Sequence, residues 1–292
     1  MTRRSLDWTN TLFLPAAHAL AVTAILYAVL VQFSWWSLAL AIVLGGVSSL
    51  SVTAGYHRLF AHRTYKARAP LRLFYLLFGA AAAQNSALKW SADHRRHHNH
   101  VDGDEDPYNA RRGFWWSHIG WVFFKDTGEL DSRGVRDLES DALVRFQDRH
   151  YLLLALLMGA ALPFSLGLLW GDPLGALLMA GFLRLVIQWQ STFSVNSLAH
   201  LLGKRPYTIT QTARDSFLTA LITFGEGYHN FHHRFQSDYR NGVRWWQFDP
   251  TKWWVWMLSK LGLTWDLKRV PAHVIERARQ AVQAELTAPR GT

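Results

Sequence analysis

The chain has 292 residues, half of them apolar, with fifteen tryptophans, a net charge of +10 and no cysteine. Without cysteine there can be no disulfide, no thiolate-held zinc or iron–sulfur cluster and no cysteine nucleophile, so any metal must sit on nitrogen or oxygen. The basic excess points to an anionic partner. Lipid head groups or a phosphorylated substrate fit better than nucleic acid, because the basic residues lie between membrane-length apolar runs and form no reader motif.

Crossing about 30 Å of hydrocarbon takes about 20 helical residues. Four stretches qualify: Thr11–Phe33, Trp36–Tyr56, His150–Trp170 and Leu174–Val195. The first is too long for a removable signal peptide and is followed by no small-residue cleavage site. Residues 70–90, "PLRLFYLLFGAAAAQNSALKW", are interrupted by Arg72, Gln84, Asn85 and Lys89 and read as one helix lying in the interface or half buried. The spans pair into two hairpins whose outer turns, "SWW" and "GDP", carry no Lys or Arg. With "MTRR" inside, every basic residue except Arg184 falls on the cytoplasmic side. Arg184 lies within the fourth span, where a cation faces the bundle interior and needs a buried partner such as a carboxylate or a backbone carbonyl. The expected fold is an all-α membrane protein, one domain over 1–292, with four transmembrane helices, an interfacial helix and a cytoplasmic helical cap over 91–149 and 196–285. Near the C-terminal end, "WWQFDPTKWWVWMLSKLG" reads as an aromatic, basic surface at head-group level, and the tail beyond Glu285 as disordered. There is no internal repeat, no low-complexity tract and no GxGxxG motif.

The histidines gather where the spans return to the cytoplasm. "HRLFAH" brings His57 and His62, whose i, i+5 spacing predicts that the helix ends or turns between them. "DHRRHH" brings His94, His97 and His98, "NSLAH" brings Asn196 and His200, and "GEGYHNFHH" brings His229, His232 and His233. Both triplets have the i, i+3, i+4 spacing of one helix face, and their adjacent members point about 100° apart, so they can serve two ions. One such run could be a solvated polar turn, but nine histidines at one membrane face point to metal. Nine ligands are too many for one ion and suit two. Imidazole sites suit zinc, copper, nickel or iron. Zinc is usually four-coordinate, so eight or nine nitrogens over two ions favour iron. His18 reads as a packed polar residue inside the first span, His100 and His150 as surface residues, His273 as part of the polar tail, and His118 as structural support.

On "HRLFAHRTYKA", "DHRRHHNH", "DPYNARRGFWWSHIGW", "NSLAH" and "GEGYHNFHHRFQSDYRNG", the chain from about Ser48 to Leu267 resembles the membrane fatty-acid desaturases, specifically the stearoyl-CoA-type delta-9 branch. The resemblance implies two iron ions held by His57, His62, His94, His97, His98, His200, His229, His232 and His233, with Asn196 contributing through water. It implies an O2-dependent reaction that places a cis double bond, delta-9, in a saturated fatty acyl chain of about sixteen to eighteen carbons. It also implies that Gln84, Trp90 and Thr192 shape the bend of an acyl tunnel, although Trp90 equally suits helix packing. Asn85 and Asp93 match positions near the substrate head group, and Arg111 and Arg112 are either phosphate contacts or a solvated basic turn.

Two departures bear on the acyl carrier. Acyl-CoA members typically have an Arg two residues before the second histidine box, where "WSADH" has Ala92, and a basic pair after "HxGW" is reduced to Lys125 and Asp126. Both remove phosphate partners and leave lipid-bound or carrier-bound chains open beside acyl-CoA. A separate electron donor is expected (a ferredoxin, a rubredoxin or a b-type cytochrome with its reductase), steered to the cytoplasmic face by positive charge. The expected location is a bacterial inner membrane, with the endoplasmic reticulum as the alternative. The nearest rival keeps the di-iron site but hydroxylates or oxidatively decarboxylates the chain. A metal-binding transporter or sensor would instead string its ligands along a path through the membrane.

Overall fold

The computed structural model describes residues 5–125 and 134–288. Among the described residues four helices are long and apolar enough to cross a membrane: α1 Trp8–Leu30, α2 Trp35–Ala61, then, after a long intervening stretch, α7 Tyr151–Trp170 and α8 Pro173–Leu201. Side-chain caps open the first hairpin's helices, Asp7 accepting from the Asn10 amide at 3.1 Å and Ser34 from that of Ser37 at 3.2 Å. The second hairpin turns at Gly171, whose φ of 75° suits glycine, and Asp172 caps α8 through the Gly175 amide at 2.9 Å. Asp172 also accepts from the Tyr27 hydroxyl at 2.9 Å, tying the two outer turns together.

The spans divide by burial. Within the apolar 18-residue stretch of each span, 22% is buried in α1 and 17% in α7, against 44% in α2 and 56% in α8, so the second and fourth spans form the inner pair. Their ends away from the hairpin turns carry histidines. The outer pair shows apolar side chains such as Val29, Leu30, Leu152 and Leu169 outward, as a lipid-facing surface requires.

One expectation holds with an addition and one is corrected. First, the helix ends at Ala61, between His57 and His62, but its last turns are not α-helical. Residues Ser51–Ala61 are wound as a π-helix, and the His62 amide donates to the His57 carbonyl at 3.0 Å. Five-residue bonding stacks residues five apart, so a spacing unsuited to an α-helix places both imidazoles on one side. Second, 70–90 is not one helix: α3 Ala69–Ala80 and α4 Ala87–His100 are separated by a short loop in which Ala83 and Asn85 have positive φ. α3 is deeply buried through Tyr75 and Leu76, packing against the π-wound end of α2. Gly55 and Gly79 permit that approach, since a Cβ on them would meet Tyr75 at 2.6 Å and the Tyr56 ring at 2.4 Å.

The cap continues with α5 Phe114–His118, α6 Ala142–Arg149, α9 Phe217–Ile222, α10 His229–Arg234, α11 Pro250–Lys260 and α12 Ala272–Thr287. A two-residue antiparallel ladder, β1 Lys66–Ala67 with β2 Thr264–Trp265, pins the segment after α2 to the one after α11. α12 carries helix to Thr287, past the expected start of disorder, and the last four residues, like Met1–Arg4 and Asp126, lie outside the described residues. Arg184 is buried in α8 with no carboxylate partner among the described residues. It donates to the carbonyls of Ala180 at 3.0 Å and Ala81 at 2.9 Å and to Gln188 Oε1 at 3.0 Å.

Candidate metal centre

Two shorter helices and two span ends deliver the nine histidines. α4 starts at the Ser86 cap and carries His94, His97 and His98. α10 is set by its neighbours: Asp215 accepts from the Phe231 amide at 3.0 Å, and Asn230 donates to the carbonyls of Thr208 at 2.8 Å and Ala213 at 2.9 Å. His57 and His62 come from the end of α2, and His200 from the last turn of α8.

The side chains meet as two groups, His57, His62, His94, His98 and His232 in one, His97, His200, His229 and His233 in the other, with ligand atoms within 4.8 Å of one another in each. The adjacent pairs split as the helix geometry requires: His97 and His98 face different groups, and so do His232 and His233. Within the first group Nε2 faces Nε2 at 3.0 Å for His57–His232, 3.0 Å for His98–His232 and 2.8 Å for His62–His94. Within the second the distances are 3.3 Å for His97–His233 and 3.0 Å for His229–His233. The groups adjoin, the His98 and His233 rings stacking at 4.4 Å.

These approaches test whether metal fits. His57 donates Nδ1–H to Glu226 at 2.8 Å, and His97 donates its own to Asp106 at 2.8 Å. His200 Nδ1 contacts the Thr212 hydroxyl at 2.7 Å, which donates to Asp102 at 2.6 Å. Such partners fix the proton on Nδ1 and leave the Nε2 lone pair inward. Facing lone pairs repel unless a cation lies between them. Metal–imidazole bonds of about 2.1 Å set neighbouring ligands about 3 Å apart, and the Nε2 atoms lie 2.8–3.3 Å apart. Burial, then the neighbouring histidines, push His62, His94, His98, His229, His232 and His233 well below the ordinary imidazole range, so each is neutral and able to ligate. The residues fit two ions.

Sequence spacing did not single out the supporting carboxylates. Arg58 is buried beside His57 and donates to Glu226 at 2.8 Å, to Asp249 at 2.9 and 3.1 Å and to the Tyr239 carbonyl at 2.8 Å. Burial would raise Glu226, but His57 and Arg58 outweigh it and hold the carboxyl at about 2. Glu226 and Asp106 stand in the quoted motifs three and nine residues from histidines they support or neighbour, a signal that only the fold converts into contact.

The remaining expected residues fall as follows. Gln84 Nε2 donates to Thr192 Oγ1 at 3.0 Å, bringing the α3–α4 loop onto α8. Trp90 stacks on His94 at 4.9 Å and 20°. The Asn85 amide donates to Tyr151 OH at 3.0 Å, and Asp93 faces Arg96 at 3.5 Å with its carboxyl raised by burial. Asn196 is half-buried one turn before His200. Arg111 and Arg112 are exposed, Arg112 lying over the Trp116 ring at 3.3 Å. His18, His100, His118, His150 and His273 belong to neither group. His118 bridges Ser197 at 2.8 Å and Gln190 at 3.0 Å, and Gln190 reaches His18 at 3.2 Å, so those two are support.

Fold and site together define a multi-pass membrane protein with paired all-histidine metal groups at the ends of its spans. The chain belongs to the fatty acid desaturase family, whose model matches residues 33–266. It is 47% identical over 234 residues to acyl-CoA desaturase 1 of Saccharomyces cerevisiae, covering 80% of this chain and 46% of that protein. Against a probable acyl-CoA desaturase of Schizosaccharomyces pombe it is 43% identical over 276 residues, covering 94% and 57%. Against stearoyl-CoA desaturase 5 of Bos taurus it is 38% identical over 285 residues, covering 96% and 84%. The chain thus spans about half the length of the two fungal relatives.

Proposed function

We propose that this chain is an O2-dependent di-iron desaturase that places a cis double bond, delta-9, in a saturated long-chain fatty acyl group, with acyl-CoA as substrate. The observation carrying the reading is the pair of adjoining histidine groups with Trp90 stacked on one of their members and the Gln84–Thr192 contact nearby in the chain. A bound iron pair supplies the oxygen chemistry that breaks unactivated C–H bonds, which acid–base groups cannot do.

The chain's own residues do the rest. His57, His62, His94, His98 and His232 hold one ion and His97, His200, His229 and His233 the other, Asn196 adding a water contact to the second. Gln84, Thr192 and Trp90 bend the acyl chain and set which carbons lie beside the irons, where a misplacement of about 1 Å can cost about a hundredfold in rate. Asn85 and Asp93 stand toward the head group. Exposed Arg111 is the cation left to meet a phosphate, since Ala92 offers none. Both hairpins return the histidines to the cytoplasmic side, where a separate reductant supplies electrons and membrane lipid surrounds the spans. The names of the acyl-CoA and stearoyl-CoA desaturases among the relatives support the reaction and the acyl substrate.

The test is lipid profiling by gas chromatography and mass spectrometry of a host expressing the chain or its His94→Ala variant. New cis-monounsaturated chains only with the parent are expected. Alcohols or terminal alkenes instead would replace desaturation by hydroxylation or decarboxylation, and identical lipids from both would remove the reading.

A further inference from the structure

The two histidine groups differ in access. All four members of the second are buried, whereas His62 and His98 of the first are half-buried. Both line a groove of about 930 Å³ that runs past the end of α2 toward the β1–β2 ladder. Arg63, Lys66, Arg95 and Lys268 lie along it with Trp265, while Gln84, Trp90 and Thr192 do not.

Among the described residues the groove's charge is one-sided once its ion pairs are counted. Asp137 is held by Arg95 at 2.7 Å, Asp266 pairs with Lys66 at 3.1 Å, and Asp141 pairs with Arg72. Lys268 has no carboxylate among the described residues, and Arg63 shares Asp137 only at 3.7 Å with two-thirds of its side chain exposed. Exposed Arg68 and Arg269 flank the ladder. An exposed tryptophan among cations around a cleft is the composition of a protein-docking surface.

We propose that this groove docks a small acidic one-electron carrier protein, and that electrons enter the centre through the edges of His62 and His98 into the five-histidine group. The inference rests on the oxidative function proposed above, which needs electrons from outside. Each docking event oxidises the carrier by one electron and reduces one ferric ion of the first group to ferrous. The carrier is the favoured occupant over an acidic acyl-carrier protein, whose chain would have to reach Gln84 and Thr192 from a groove they do not line. Positive charge around the cleft steers an acidic partner, and the imidazole edges put its redox centre one ligand from the metal.

The test uses the full chain in nanodiscs with a reduced plant-type [2Fe–2S] ferredoxin and, separately, the soluble domain of a b-type cytochrome. Zero-length carbodiimide coupling of carrier carboxylates to lysines, read by mass spectrometry, needs no iron and should place the links at Lys66 and Lys268. In stopped flow, Arg63→Glu with Lys268→Glu should slow carrier oxidation by the iron-loaded protein about tenfold and flatten its salt dependence, with reduction by free dithionite unchanged. Links at Lys125, Lys204 or Lys260 instead would overturn the proposal. So would an unchanged carrier rate, an equal loss with dithionite, no carrier outpacing dithionite on the parent, or acyl-carrier protein coupling at the same lysines in place of both. If docking holds but no double bond appears in the lipid profile, the desaturase reading fails and the groove assignment stands.

Discussion

At His57 the ring hydrogen is committed to Glu226, and Glu226 also accepts from Arg58 Nη2 and from Asn241 Nδ2 at 2.7 Å. Replacing that carboxylate by an amide keeps the shape but removes the charge that opposes Arg58 and strengthens His57 as a ligand. Glu226→Gln is expected to lower the affinity of the first group for iron about 10- to 100-fold, and Asp106→Asn to do the same to the second. Iron retained per chain against a competing chelator measures both, and full retention in Glu226→Gln would reduce the carboxylate to a packing role. The sign with pH follows from its depressed pKa. Stability from Glu226 is fully present above its ordinary value of 4.5 and is lost as pH falls toward about 2. The unfolding midpoints of parent and Glu226→Gln should therefore converge over that interval.

The π-wound end of α2 is the element on which the first group depends. Deleting Phe60 removes the extra residue between His57 and His62 and turns His62 by about 100°. Iron per chain should fall from two toward one with the helical circular dichroism unchanged, and retention of both ions would show that the π-winding has no role in ligation. The loop between α3 and α4 is the second such element. Its left-handed Ala83 and Asn85 cost about 1–3 kcal/mol each, so the surroundings must hold them. Arg184 and Trp189 do so from α8, through the carbonyls of Ala81 and Ala82 at 2.9 Å each. Gly45 leaves room for the Arg184 stem, since a Cβ there would meet its Cγ at 3.2 Å. Arg184→Met should leave iron in place and scatter the position of the new double bond, read by mass spectrometry of the fatty acids. A single unaltered position would mean that the loop does not need its buried cation.

For the whole molecule, the inner pair α2 and α8 carries members of both histidine groups at one end and the outer pair exposes its apolar side chains, so the candidate metal centre and the spans are coupled by topology. The cysteine-free chain permits a direct check. A cysteine at Gly103 should be labelled only from the cytoplasmic side of the membrane, and one at Gly171 only from the other. Labelling of both from one side would break the two-hairpin arrangement. The proposed bend in the acyl path makes a second prediction at this scale: fed saturated chains of two lengths, the protein should place the double bond at a constant distance from the carboxyl end. A constant distance from the methyl end would show measurement from the other terminus.

Hydrophobic length, the absence of cysteine and the histidine boxes were enough to determine a four-span, mostly helical membrane protein with histidine clusters able to hold metal near the span ends, because apolar runs and local spacing are properties of the chain itself. The i, i+3, i+4 triplets even allowed adjacent histidines to serve different groups, since helix pitch is local, and the fold places them so. The sorting of all nine into five and four was decided only in three dimensions, because His57 and His232 are 175 residues apart in sequence and meet at 3.0 Å. The π-helix was decided there too. Its bonding is marginal in isolation and persists where α3, packed on it through Gly55 and Gly79, repays the irregular winding. The carboxylates behind the histidines and the open edge at His62 and His98 belong to the same class, since charge and access at a site are set by what the rest of the chain folds over it.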